Sequence, residues 1–120
     1  MLLAVAVLPA CATETTDTRP ETADYIIEAI LAPACGRGAC HSSVTVAAGY
    51  AFDTLDAAKA SMKKQSENGQ KLVVANDPAH SRLVTILSDG NKPMPADAPL
   101  PDADIALITS WVAAGAEGLP

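Results

Sequence analysis

Cys35, Cys40 and His41 are the residues whose types and spacing point most directly to chemistry. They stand in the run Cys35-Gly36-Arg37-Gly38-Ala39-Cys40-His41. A cysteine pair ending in Cys-His is an arrangement through which proteins hold haem covalently. Each thiol adds across one vinyl group of the porphyrin, and the adjacent histidine is delivered to the iron as proximal ligand. The usual spacing leaves two residues between the cysteines; here there are four. The extra residues must bulge outward if both thiols are to meet two vinyl groups, and Gly36 and Gly38 are expected to supply the backbone freedom.

The same residues admit two other arrangements. Cys35 and Cys40 can close a small disulfide loop, since a disulfide needs Cα atoms roughly 4.4–6.8 Å apart. An exported protein would oxidise such a pair readily. The domain would then be a haem-free, disulfide-closed binding module of the cell envelope. Alternatively, Cys35, Cys40, His41 and His80 form a donor set of the right types for zinc, although no spacing logic supports His80.

A haem iron held by one histidine keeps a sixth position. The segment Asn91-Lys92-Pro93-Met94-Pro95-Ala96-Asp97-Ala98-Pro99 places Met94 between two prolines. Those prolines exclude regular helix and stiffen the chain, so the thioether would be held at a fixed point. A thioether suits haem iron, and His/Met ligation raises its reduction potential. The alternative is that Met94 fills an apolar gap, the commoner fate of methionine. Met62 falls at core-like spacing, and His80 is expected in solvent.

Four helices are expected to position these groups; Lys71-Leu72-Val73-Val74 reads as a short extended piece, nothing else suggests a sheet, and the architecture is all-α. The first spans about Glu21 to Ala32, with Ile26, Ile27, Ile30 and Leu31 on one face, and Pro33 should close it. The second spans about Leu55 to Glu67, capped by Asp53 or Thr54 and ended by Asn68-Gly69. A third begins at Asp77-Pro78 and continues through Leu83, Ile86 and Leu87 to Asp89-Gly90. The last starts near Pro101-Asp102, carries Ile105, Ile108, Trp111 and Val112, and ends at Gly115.

The beginning of the chain reads as an export and anchoring device. Residues 1–10 are uncharged, too few to span a bilayer, which takes roughly 20. They fit the apolar centre of a secretory signal. Leu8-Pro9-Ala10-Cys11 resembles a bacterial lipobox, with Cys11 the lipidated residue and the start of the signal truncated. Residues 12–20 have almost no apolar side chains and are expected to be a flexible polar tether. The domain proper would be residues 21–117, one small domain.

Its aromatics are few: Tyr25, Tyr50, Phe52 and Trp111. Alanine dominates the apolar content, so a buried haem would complete an otherwise thin core. The formal net charge of −6 argues against nucleic acid, which needs clustered Lys and Arg. No substrate-activating acid, base or nucleophile stands out, so an enzyme is not expected. The expected partners are redox proteins of the cell envelope and, through the lipid anchor, a membrane.

The order of these motifs is similar to that of single-haem class I cytochromes c, and more closely to the planctomycete-type cytochrome c domain and its lipoprotein relatives. The resemblance is carried by Ala29-Ile30-Leu31-Ala32-Pro33, Ala51-Phe52-Asp53-Thr54 and Pro78-Ala79-His80-Ser81-Arg82-Leu83-Val84. It continues in Pro93-Met94-Pro95 and Trp111-Val112-Ala113-Ala114-Gly115-Ala116, so that about residues 22–116 are covered. It implies about four helices around one covalently bound haem c. Cys35 and Cys40 would attach it, and His41 and Met94 would be its iron ligands. The implied function is single-electron transfer in the periplasm or cell envelope. Lys92 and Asp97, on either side of Met94, are candidates to tune an exposed haem edge.

Overall fold

In the computed structural model, which describes residues 16–66 and 68–120, helices and turns account for the regular structure. Among the described residues there is no strand, only one isolated antiparallel bridge between Gln65 and Lys71. The chain is therefore all-α. The expected signal, Cys11 and residues 12–15 lie outside the described residues.

Helix α1 is one rod in three stretches: α-helical Ala23–Tyr25, π-helical Ile26–Leu31 and α-helical Ala32–Cys35. Thr22 caps it by accepting the Tyr25 N–H, and Ile26, Ile27, Ile30 and Leu31 make its buried face. Pro33 does not end this helix, contrary to expectation. A proline inside an α-helix loses the bond to the carbonyl four residues back, and its ring clashes with that carbonyl. Here the turn widens to π geometry just ahead of Pro33, with the Ala32 N–H bonding back to Ile27, which eases the conflict. The rod thus continues to Cys35.

Helix α2, Leu55–Met62, is capped by Thr54, whose hydroxyl accepts the Ala57 N–H at 3.2 Å. It stops short of Glu67. The Leu72 N–H takes the Lys64 carbonyl, and the Gln65–Lys71 bridge closes a tight turn at Asn68-Gly69, where Gly69 has φ +82°. Asn-Gly serves here as a hairpin turn and not as a helix terminator. Ser61, buried in α2, accepts the Ala51 N–H at 2.9 Å and fastens the extended Ala51-Phe52 segment.

The third expected helix is broken in two. A 3-10 turn, Pro78–His80, is followed by α3, Arg82–Leu87, with Ser81 extended between them. The Ser81 hydroxyl is fully buried, accepts the Val74 N–H at 2.8 Å and donates to the Asp77 carbonyl at 2.8 Å. That local knot competes with continuous helix, as serine often does. Helix α4, Asp102–Ala113, buries Leu107, Ile108, Trp111 and Val112 and turns off at Gly115, where φ is +110°.

The core is a single cluster from Ala23 to Ala116. Helix α2 packs on the π stretch of α1, and α3 packs on α4. The two ends of the domain are tied by the Ala23 N–H to the Glu117 carbonyl at 2.8 Å, and by Trp111 Nε1 to the same carbonyl at 3.0 Å. Arg19, at the described end of the expected tether, pairs with Asp17 and Asp104 and donates to the Ala103 carbonyl. No described helix is long and apolar enough to cross a membrane.

Candidate functional site

Cys35 is the last residue of α1 and is buried, whereas Cys40 is exposed. Between them the chain turns out and returns. The Cys40 N–H bonds the Arg37 carbonyl at 2.9 Å, and the His41 N–H reaches back to the Cys35 carbonyl at 3.0 Å. The four intervening residues thus form a closed outward loop. The glycines act differently from expectation. Gly36 has an ordinary backbone (φ −81°, ψ 13°), but a Cβ there would lie 2.8 Å from the Ala32 carbonyl oxygen and from Asp53 backbone atoms. Its role is close approach. Gly38 has open space around it and no positive φ, so nothing in the fold demands glycine there.

The two thiols are not joined to each other. Burial, aided by the nearby Cys40 and Asp97, pushes the Cys35 thiol up to about 11. At neutral pH it is therefore a protonated thiol and a weak nucleophile on its own.

His41 Nδ1 lies 2.8 Å from the Ala47 carbonyl oxygen. A carbonyl only accepts, so Nδ1 carries the proton and Nε2 keeps its lone pair free for a metal. This is the kind of hydrogen bond that orients a ligating histidine. The Ala47 carbonyl is presented by a strained loop, in which Val46 (φ 47°) and Ala48 (φ 53°) are both left-handed. That conformation is a true outlier for a β-branched residue. The Asp53 carboxylate steadies the loop by accepting the Ser43 N–H at 2.8 Å and the Ser43 hydroxyl at 2.7 Å. These bonds hold the Asp53 carboxyl below its ordinary value. Phe52 meets the imidazole edge-on, with ring centroids 5.5 Å apart, and Tyr50 lies tilted at 6.3 Å.

Cys35, Cys40, His41 and Met94 all line one cavity of about 530 Å³. The structure thereby brings together the four residues singled out in the domain sequence. Much of the space exists because Ala34, Ala39, Ala47, Ala48 and Ala96 line it with nothing larger than a methyl group, while Leu72, Leu83 and Leu87 make it apolar. Met94 is 41% exposed. Its N–H bonds the Ile86 carbonyl at 3.2 Å, and the loop before it is started by Asp89, which accepts the Asn91 N–H at 2.8 Å.

His80 is elsewhere. It is exposed and paired with Asp77 at 2.7 Å, and it does not line the cavity with the cysteines. Among the described residues no three His, Cys, Asp or Glu groups gather as metal donors, so the four-ligand zinc arrangement is not assembled. Met62 is fully buried in the core, away from the site.

The cavity is mostly apolar and suits an apolar ligand. Its volume falls in the usual range of roughly 300–1,000 Å³ for ligand sites. Two thiols, an imidazole nitrogen and a thioether border it, donor types that can attach and ligate a haem. Sequence reasoning missed the Ala47 carbonyl, because a backbone acceptor leaves no side-chain signature. It also missed the packing of Tyr50 and Phe52 on His41, although two of the chain's four aromatics within three residues were a visible sign. Comparison with family models, curated proteins and solved structures finds no match to this chain.

Proposed function

We propose that this chain is a c-type cytochrome, an electron carrier with a cytochrome c-like fold that holds one haem c covalently. The observation that carries the reading is the convergence of Cys35, Cys40, His41 and Met94 on one apolar cavity, with His41 already oriented through Nδ1. When bound, haem supplies an iron centre that takes up and gives back one electron. Cys35 and Cys40 anchor it, the first from the buried end of α1 and the second from the exposed turn. His41 would offer Nε2 to the iron while the Ala47 carbonyl holds the imidazole proton on Nδ1. Met94 would offer its sulfur to the same iron, from a loop stiffened by Pro93 and Pro95. The leucine and alanine walls would give the metal centre a largely apolar surround, which suits electron exchange.

The anchoring part of the reading rests on sequence alone: Cys11 bears the lipid, residues 12–20 tether the domain, and redox proteins of the cell envelope are its partners. A pyridine haemochrome spectrum after acid-acetone extraction tests the central claim, on protein made in a host with c-type maturation. A c-type spectrum that survives extraction is expected. Haem-free protein with one Cys35–Cys40 disulfide by mass would replace the electron carrier with a binding module.

A further inference from the structure

Among the described residues, Arg82 is the only lysine or arginine that lines the 530 Å³ cavity, and Asp97 is the only acidic one. Arg82 also lines a second hollow of about 410 Å³, walled by Gln65, Gln70, Lys71, His80 and Thr85. Arg82 therefore borders both an apolar hollow and a polar, cation-bearing one. Its backbone fixes it there: the Arg82 N–H bonds the Lys71 carbonyl at 3.0 Å, and its carbonyl accepts the Thr85 hydroxyl at 3.2 Å. The side chain is half-buried and forms no ion pair with another described residue.

A flat tetrapyrrole with two carboxylate arms is an asymmetric guest for such a slot. Its hydrocarbon edge matches the leucines and alanines, but the carboxylates need a polar outlet. Asp97 repels them from its side, and Arg82 offers a planar fork that matches a carboxylate with two parallel hydrogen bonds. We propose that Arg82 receives a carboxylate of the tetrapyrrole, that the hollow beside it with Lys71 accommodates the charged end, and that this contact sets which way round the ligand enters. The inference rests on the haem reading of the cavity. It assigns Arg82 a positioning role that involves neither thiol addition nor iron ligation.

The test uses metal-free porphyrin, so that iron coordination does not enter. Protoporphyrin IX and its dimethyl ester are titrated by fluorescence into the haem-free full chain, as wild type, Arg82→Gln and Arg82→Lys. Wild type is expected to prefer the diacid. Arg82→Gln should weaken the diacid about tenfold, the scale of one lost charge-assisted hydrogen bond, and leave the ester unchanged. Arg82→Lys should restore part of the difference. Equal binding of diacid and ester by wild type would overturn the carboxylate assignment while leaving the cavity's ligand class intact. Equal weakening of both ligands by Arg82→Gln, or of neither, would also overturn it. A wild-type chain that binds neither porphyrin would remove the haem reading itself, and this inference with it.

Discussion

In the core with Trp111 the side chains of Ile26, Ile27, Leu31, Ile108 and Val112 are wholly withdrawn from solvent, whereas the cavity beside His41 is walled in part by alanine methyls and its Met94 is 41% exposed. Both regions draw on the same helix: α1 gives its isoleucines and Leu31 to the first and its terminal Cys35 to the second. The difference lies in side-chain volume. Where large residues meet, the interior closes at native density. Where alanines meet, the same scaffold leaves room for a guest. One small domain thus holds a region that folds the chain beside a region that keeps space open, and substitutions in the two should behave differently.

The largest effect belongs to the closed region. Trp111→Ala removes the bulkiest fully buried side chain and its hydrogen bond to Glu117. A loss of about 3–5 kcal/mol is expected, seen as a fall in urea midpoint of the haem-free chain. The open region gives a sharp contrast. Met94→Ala should change the same midpoint by less than about 0.5 kcal/mol, because a half-exposed side chain on a loop holds little of the core. In haem-loaded protein, however, it should abolish low-spin His/Met spectra, lower the midpoint potential and permit rapid carbon monoxide binding. Comparable destabilisation by the two substitutions would erase the distinction.

Gly36→Ala lies on the seam between the regions. The new methyl would press on the Ala32 carbonyl oxygen and on Asp53 backbone atoms at 2.8 Å, neither of which is a flexible tip. A destabilisation of about 1–3 kcal/mol is expected. Gly38→Ala, with open space around it, is the control and should be close to neutral. Ala34→Leu instead adds bulk to the cavity wall on a good helix former. It should leave the haem-free chain folded, with an unchanged or higher melting temperature, and cut porphyrin uptake. A melting temperature well below wild type would mean that the alanine walls are already tightly packed.

What was legible in the sequence follows the same division. Ile26, Ile27, Ile30 and Leu31, and Ile108, Trp111 and Val112, announced their helices because burial imposes a helical period. Cys35, Cys40, His41 and Met94 announced a shared site because their side chains are rare and chemically specific. Helix ends were harder. Pro33 reads as a stop unless the helix switches to π geometry ahead of it, and Asn68-Gly69 marks a hairpin turn that the chain reaches after α2 has already ended. Ser81 breaks a helix through bonds to Val74 and Asp77 that exist only in the folded chain. The loop that holds His41 was illegible for a related reason: its anchor is a backbone carbonyl, raised into place by left-handed Val46 and Ala48, residue types that give no warning of that conformation.

That loop is steadied in part by one half-buried carboxylate, which yields the smallest effect and the most specific one. Asp53 accepts two hydrogen bonds from Ser43, and its carboxyl is lowered in the folded protein. In the unfolded chain it titrates near its ordinary value of about 3.9. A group lowered by folding contributes its stabilisation fully above the unfolded value and loses it as pH falls through the lower folded value. Asp53→Asn lacks that charge-dependent contribution at every pH. The stability gap between wild type and variant should therefore be constant from neutral pH to about 5 and close as pH drops below about 3.9. Urea midpoints across that range measure the gap, and amide exchange over residues 42–50 locates it. Faster exchange in the variant, confined to that loop while α1 and α4 stay protected, is expected if Asp53 steadies the open region alone. A gap that persists undiminished into acid would assign the effect to the side chain's shape, and spread-out exchange would tie the loop to the core around Trp111.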